Sequence, residues 1–110
     1  MNSILTSIKK LLGITEEDIS FDNDIIMHIN SVLSILTQLG VGSSSGFIIS
    51  DKNAVWSDFV SDLTALASIK SYVFLKVKLI FDPPLSSAAV ESMKNLISEF
   101  EWRINVKVDV

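Results

Sequence analysis

At 110 residues and 12.1 kDa, with a net charge of −4, the chain has the size of one small domain. Nine basic residues are outnumbered by thirteen acidic ones scattered along it, which excludes a protein that grips nucleic acid through clustered lysine and arginine. The absence of cysteine excludes disulfides, thiolate zinc sites and cysteine nucleophiles, and a hydrophobic content of 48% is more than so small a domain readily hides, so part of the surplus is expected at subunit contacts.

Ser3 is placed to cap a first short helix in which Ile4, Leu5, Ile8, Leu11 and Leu12 share a face. Lys9 and Lys10 stand near its negative end and Gly13 stops it. Thr15-Glu16-Glu17-Asp18 predicts a single capped turn in which Asp18 returns the capping bond. The second helix starts at Asp22 as N-cap, with Asp24 in its first turn and Phe21 set to staple onto Ile26. Its core stripe is Ile25, Ile29, Val32, Leu33 and Leu36, and Gly40 ends it.

Gly42-Ser43-Ser44-Ser45-Gly46 reads as a flexible loop leading to a short strand, Phe47-Ile48-Ile49. A turn at Ser50-Asp51-Lys52-Asn53 folds it back on Ala54-Val55-Trp56 as a hairpin, which needs support because two strands alone are marginal. From Ser57 or Asp62 to Asp82 the pattern predicts a long helix, kinked near its start. Leu66, Ile69, Val73, Val77 and Ile80 form one of its apolar stripes and Tyr72, Leu75 and Leu79 another, so this helix is central and buried on two sides. Pro83-Pro84 terminates it.

Ser86 or Ser87 caps the last helix, whose stripe is Val90, Met93, Leu96, Ile97, Phe100 and Ile104. Val106, Val108 and Val110 then alternate with Lys107 and Asp109, a strand-like period that makes residues 105–110 an extended C-terminal arm seeking a partner. The expected fold is mainly α: a bundle of four to five helices in a single domain, 1–110, with a short β-hairpin between the second helix and the long central one.

No membrane span is expected, because the most apolar stretch, Tyr72 to Phe81, is short and contains Lys76 and Lys78. Lys9 and Lys10 follow the first apolar residues with no long uncharged core behind them, so the N-terminus does not read as a secretory signal and the chain is expected in the cytoplasm.

The search for chemistry returns little. Asp18, Ser20 and Asp22 fit the first three ligand positions of a calcium loop, but Asn23 stands where glycine is required and Ile29 where the closing glutamate belongs. The acidic residues read as helix-start carboxylates favoured by the dipole. Gly40, Gly42 and Gly46 follow a helix and have the wrong spacing for a dinucleotide loop. His28, the sole histidine, sits on the flank of the second helix near Val32 and Ile35 and reads as a half-buried structural residue. No serine lies in a nucleophile elbow. No catalytic residue, metal site or cofactor is predicted, and the chain reads as a non-enzyme.

The excess lies in aromatic and aliphatic side chains. Trp102 falls about 140° from Ile97 on the last helix, in a row with Glu91, Asn95 and Ser98. It is either a contact residue, with Arg103 supplying a salt bridge, or a cover over the loop after Gly40 or the hairpin. Phe47 and Trp56 flank the hairpin and are candidates either for its anchors or for an interface. The candidate interface set is thus Phe47, Trp56, Trp102, Arg103, Val106, Val108 and Val110.

Asp22 to Asn30 (DNDIIMHIN), Gly40-Val41-Gly42 with Gly46-Phe47, Tyr72 to Pro84 (YVFLKVKLIFDPP) and Glu101 to Val106 (EWRINV) together resemble the phage head-tail connector, or adaptor, proteins. The resemblance covers nearly the whole chain, and its motifs are structural. It implies a helical virion subunit, made in the cytoplasm of a bacterial host. Such a subunit forms a homo-oligomeric ring, of roughly twelve copies by portal symmetry, below the portal protein. The ring lines the channel by which DNA leaves the capsid, without specific binding, and a tail-completion or stopper protein attaches to it. The alternative is a small cytoplasmic helical adaptor or regulator that binds one protein partner. A helix-turn-helix regulator would need a basic recognition helix, which no segment supplies.

Overall fold

The computed structural model describes residues 3–42, 45–61 and 63–109, and only the backbone for residues 63 and 106–109. Five α-helices follow in order: α1 (Ile4–Leu12), α2 (Asp22–Gln38), α3 (Trp56–Phe59), α4 (Leu66–Phe81) and α5 (Ser87–Asp109). A 3-10 turn, Leu63–Ala65, leads into α4. The central helix is α4, which packs against α1, α2 and α5.

The helix ends follow the capping chemistry of the sequence with one exception. Ser3 Oγ accepts from the Thr6 amide, and Ser86 Oγ accepts from the Ala89 amide. Gly40 closes α2 at φ 96°, with its own amide bonded to Thr37 O and the Val41 amide to Leu36 O. This pairing uses two otherwise orphaned carbonyls and needs the left-handed conformation that glycine adopts cheaply. The exception is α2, where Phe21 rather than Asp22 occupies the cap position and no side chain caps the helix. Asp22 Oδ1 lies 2.8 Å from Lys9 Nζ, so the carboxylate serves as counter-ion to a buried lysine instead of as a cap. Phe21 is 44% exposed and packs edge-on against Phe81 at 5.4 Å. In the 15–18 turn the Asp18 amide bonds to Thr15 O, while the Asp18 carboxylate accepts forward from the Ser20 amide.

The core holds Ile4, Leu5 and Ile8 of α1, all five stripe residues of α2, and Ile69, Tyr72, Val73, Leu75 and Val77 of α4, drawn from both of its predicted faces. Burying each such aliphatic side chain contributes about 1.5–3 kcal/mol as an upper bound. Three stripe members are exposed: Leu11 at 51%, Ile80 at 55% and Leu96 at 46%.

The expected hairpin is absent: among the described residues there is no strand, and Trp56 begins α3. The two stretches find other partners. Asn30 on α2 donates from Nδ2 to Ile49 O at 2.9 Å and accepts from the Ile49 amide at 2.8 Å, giving Ile49 the pair of bonds a neighbouring strand would have supplied. On the other side of the turn, Ala54 O accepts from the Ile4 amide, and Ser3 and Val55 form an isolated antiparallel bridge. The predicted long helix breaks where Val60 takes an extended conformation (φ −133°, ψ 139°), leaving α3 as a separate short turn.

The strand-like reading of the tail is also corrected, because α5 continues unbroken to Asp109. Adding residues to an existing helix needs no new nucleus, and each valine lowers helix propensity by only about half a kcal/mol, so the alternating pattern is overridden. Val110 lies outside the described residues, as do the side chains of Val106 and Val108.

Candidate assembly surface

The interior is organised by three polar anchors. Lys9 is only 2% exposed, and beyond its ion pair with Asp22 it donates to Glu16 O at 3.1 Å and Asp18 O at 2.7 Å. One ammonium thereby fixes the α1–α2 connection and the start of α2. The Trp56 indole N–H donates to Ser7 Oγ at 3.3 Å, and Lys70 Nζ lies 5.8 Å from the centre of its ring. Tyr72, fully buried on α4, donates its hydroxyl to Glu101 Oε2 of α5 at 2.6 Å. Burial first, then the hydrogen bond and the Glu101 charge, push the Tyr72 phenol well above its ordinary range. Hydrogen bonds from Ser20 hold the Asp18 carboxyl below its ordinary range.

The anchors give the EWR motif a physical division of labour on one helical turn. Glu101 faces inward to Tyr72, Trp102 is 67% exposed, and Arg103 pairs with Glu99 one turn back on the exposed face. The latter is an exposed i,i+4 pair of the kind that contributes a few tenths of a kcal/mol at most. Trp102 is not among the residues lining the space beside the Gly40 turn. A cavity of about 680 Å³ opens there, between the 40–42 turn, the 57–61 segment, the start of α4, and Arg103 and Ile104 of α5.

The other candidates fall in different places. Trp56, 2% exposed, is a core anchor between α1 and α4. Phe47 is half-buried, with its ring 5.5 Å from that of Phe59. His28 packs on Phe81 at 6.4 Å. Among the described residues, no group of three or more His, Asp or Glu side chains is arranged to hold a metal ion, and no helix is long and apolar enough to cross a membrane.

A second exposed apolar set went unread in the sequence. Ile19 is 72%, Ile80 55% and Leu85 106% exposed, and with Phe21 they lie where α2 begins and α4 ends. Leu85 directly after Pro83-Pro84 was the available signal, since a side chain just past a helix stop cannot rejoin that helix's stripe.

The fold thus uses its polar side chains as fasteners and leaves large apolar ones outside. Residues 4–110 match the model of the phage connector protein family. The chain belongs to the phage connector protein family. No curated protein and no solved structure matches it. The family is one of structural phage proteins, so the chain has the role of a structural connector, a component of the virion, built as a helical bundle. Among the large apolar side chains left exposed in this phage connector protein are Trp102 on α5 and Phe21, whose ring packs on Phe81.

Proposed function

We propose that the whole chain, 1–110, acts as one head-tail connector domain. Copies of it form a ring of roughly twelve subunits beneath the portal protein, joining the capsid to the tail. DNA leaves through the ring without being specifically bound, and a tail-completion or stopper protein attaches below. The balance of thirteen acidic to nine basic residues suits a conduit, since a basic wall would hold phosphates and slow their passage.

The observation that carries this reading is α5. Its inner turn is fixed to α4 through Tyr72 and Glu101, while Trp102 projects outward at 67% exposure. Tryptophan beside arginine is the composition of an interface anchor, and in the ring it is the side chain that a neighbouring subunit covers, with Arg103 and Phe47 at the margin.

Iodide quenching of tryptophan fluorescence tests this. In the free chain Trp102 is open to quencher and Trp56 is not, so Trp102→Phe removes most of the quenchable signal. Mixing the wild-type chain with portal protein protects Trp102. Full quenching of Trp102 in a portal-bound complex would show that the contact lies elsewhere.

A further inference from the structure

We propose that the apolar surface where α2 begins and α4 ends docks a basic, apolar segment of a partner protein. It extends the connector reading and rests on it only for the expectation that a second protein is held.

Two stretches of chain build the surface. Ile19 and Phe21 lie on one turn, closed by the bond from the Asp22 amide to Ile19 O, while Ile80 and Phe81 are the last two residues of α4 and exposed Leu85 follows just beyond it. They meet where the Phe21 ring packs edge-on against Phe81 at 5.4 Å. Pro83 and Pro84 stiffen the chain that carries Leu85. The base beneath is firm, because Lys9 ties Asp22 and the carbonyls of Glu16 and Asp18 to α1. This is an exposed apolar surface on an ordered support, which favours docking over a fluctuating loop.

Its rim identifies the occupant. Glu16, Glu17, Asp18, Asp24 and Asp82, each within a few residues of these apolar side chains along the chain, are all exposed, and the nearest cations along the chain besides Lys9 are Lys10 and Lys78, the latter 3.6 Å from Asp82. Lys9 is buried and engaged by Asp22. The rim is therefore net negative around an apolar centre, and its complement is a segment that presents leucine or aromatic side chains flanked by lysine and arginine.

A second copy does not offer that complement. Two-fold pairing would set one acidic rim against another. Among the other exposed apolar side chains of the described residues, Trp102 stands among Glu99, Glu101 and Arg103, Ile48 near Asp51 and Lys52, Leu96 near Lys94 and Glu99, and Met27 near Asp24; Leu11, beside Lys10, is a single side chain. The partner is a different protein, and this surface is separate from the one carrying Trp102.

The test uses the full chain and two labelled peptides of about 18 residues, with the same leucine and phenylalanine face and either lysine and arginine or glutamate on the other face. Fluorescence anisotropy should show binding of the basic peptide and not the acidic one, weakening as salt is raised. The double variants Ile80→Ser/Leu85→Ser and Glu16→Lys/Glu17→Lys should each weaken it at least about tenfold, with unchanged circular dichroism because every altered side chain lies at the surface. Equal binding of both peptides, unchanged binding by the variants, or a dimer in light scattering that Ile80→Ser/Leu85→Ser dissolves would each overturn the proposal. A second arm uses phage heads that carry portal but no connector. The partner segment is expected on the head, so wild-type binding with loss in both variants is the predicted result, and equal binding of variants and wild type overturns that placement. Failure of the wild-type chain to bind heads counts against the connector reading instead, and the peptide arm still decides the surface.

Discussion

α2 and α5 are both long helices with an apolar stripe, yet they use it differently. The stripe of α2 is 0–1% exposed at every position, because α1 and α4 close over it. In α5 the described stripe buries Ile97 and Ile104, at 7% and 8%, leaves Leu96 46% exposed, and carries Trp102 on the outer side. A helix enclosed by two neighbours completes its burial within the subunit. A helix that rests mainly on one neighbour keeps apolar surface for contacts outside it, which is the economy expected of a protein that works as one piece of an assembly.

On that division, substitutions around α2 are expected to act on stability and substitutions on the outer face of α5 on assembly. The largest effect is expected at Lys9. Lys9→Met removes the ammonium and leaves the Asp22 Oδ1 buried without its counter-charge, which should cost about 3 kcal/mol in a urea melt. A loss below about 1 kcal/mol would mean that water reaches Asp22 and that the anchor is dispensable.

Next is Asn30→Ala, which deletes both bonds to Ile49 and should cost about 2 kcal/mol. Hydrogen exchange at the Ile49 amide should accelerate with it, and protection equal to wild type would show that something other than Asn30 holds this segment.

Tyr72→Phe is the probe that joins the two regions, and about 1 kcal/mol is expected, since Glu101 can recover water. The raised phenol means that the folded state keeps its proton more tightly than the unfolded chain, whose reference value is 10.0. That part of the stability is complete below about pH 10 and is lost as the pH climbs beyond it. Wild type should therefore lose stability faster than Tyr72→Phe in alkali, and parallel curves would contradict the role given to Tyr72. The smallest effect on stability, within about 0.5 kcal/mol, belongs to Trp102→Ala, whose consequence should appear only in assembly.

What could be read from the sequence divides along physical lines. The stripe of α2, the stops at Gly13, Gly40 and Pro83-Pro84, and the position of Trp102 off the α5 core stripe were legible, since each depends on helical period or on one residue's backbone chemistry. The hairpin was misread because an apolar alternation does not say what completes its hydrogen bonds; a side chain 19 residues away, Asn30, does so for Ile49. The cap at Asp22 was misread for the same reason, its carboxylate being claimed by Lys9 of the preceding helix. The strand-like tail lost to helix propagation through Asp109. The apolar end of α4 was hidden because Ile80 fits the helix stripe by period yet is left exposed.

The central claim is that this connector protein functions as one copy in a ring on the portal. Light scattering combined with negative-stain imaging, on the chain alone and mixed with its cognate portal protein, tests it most directly. Rings of the chain, free or formed on the portal, are the predicted result; a monomer or dimer that leaves the portal unchanged would contradict the account and favour a small adaptor that binds a single partner.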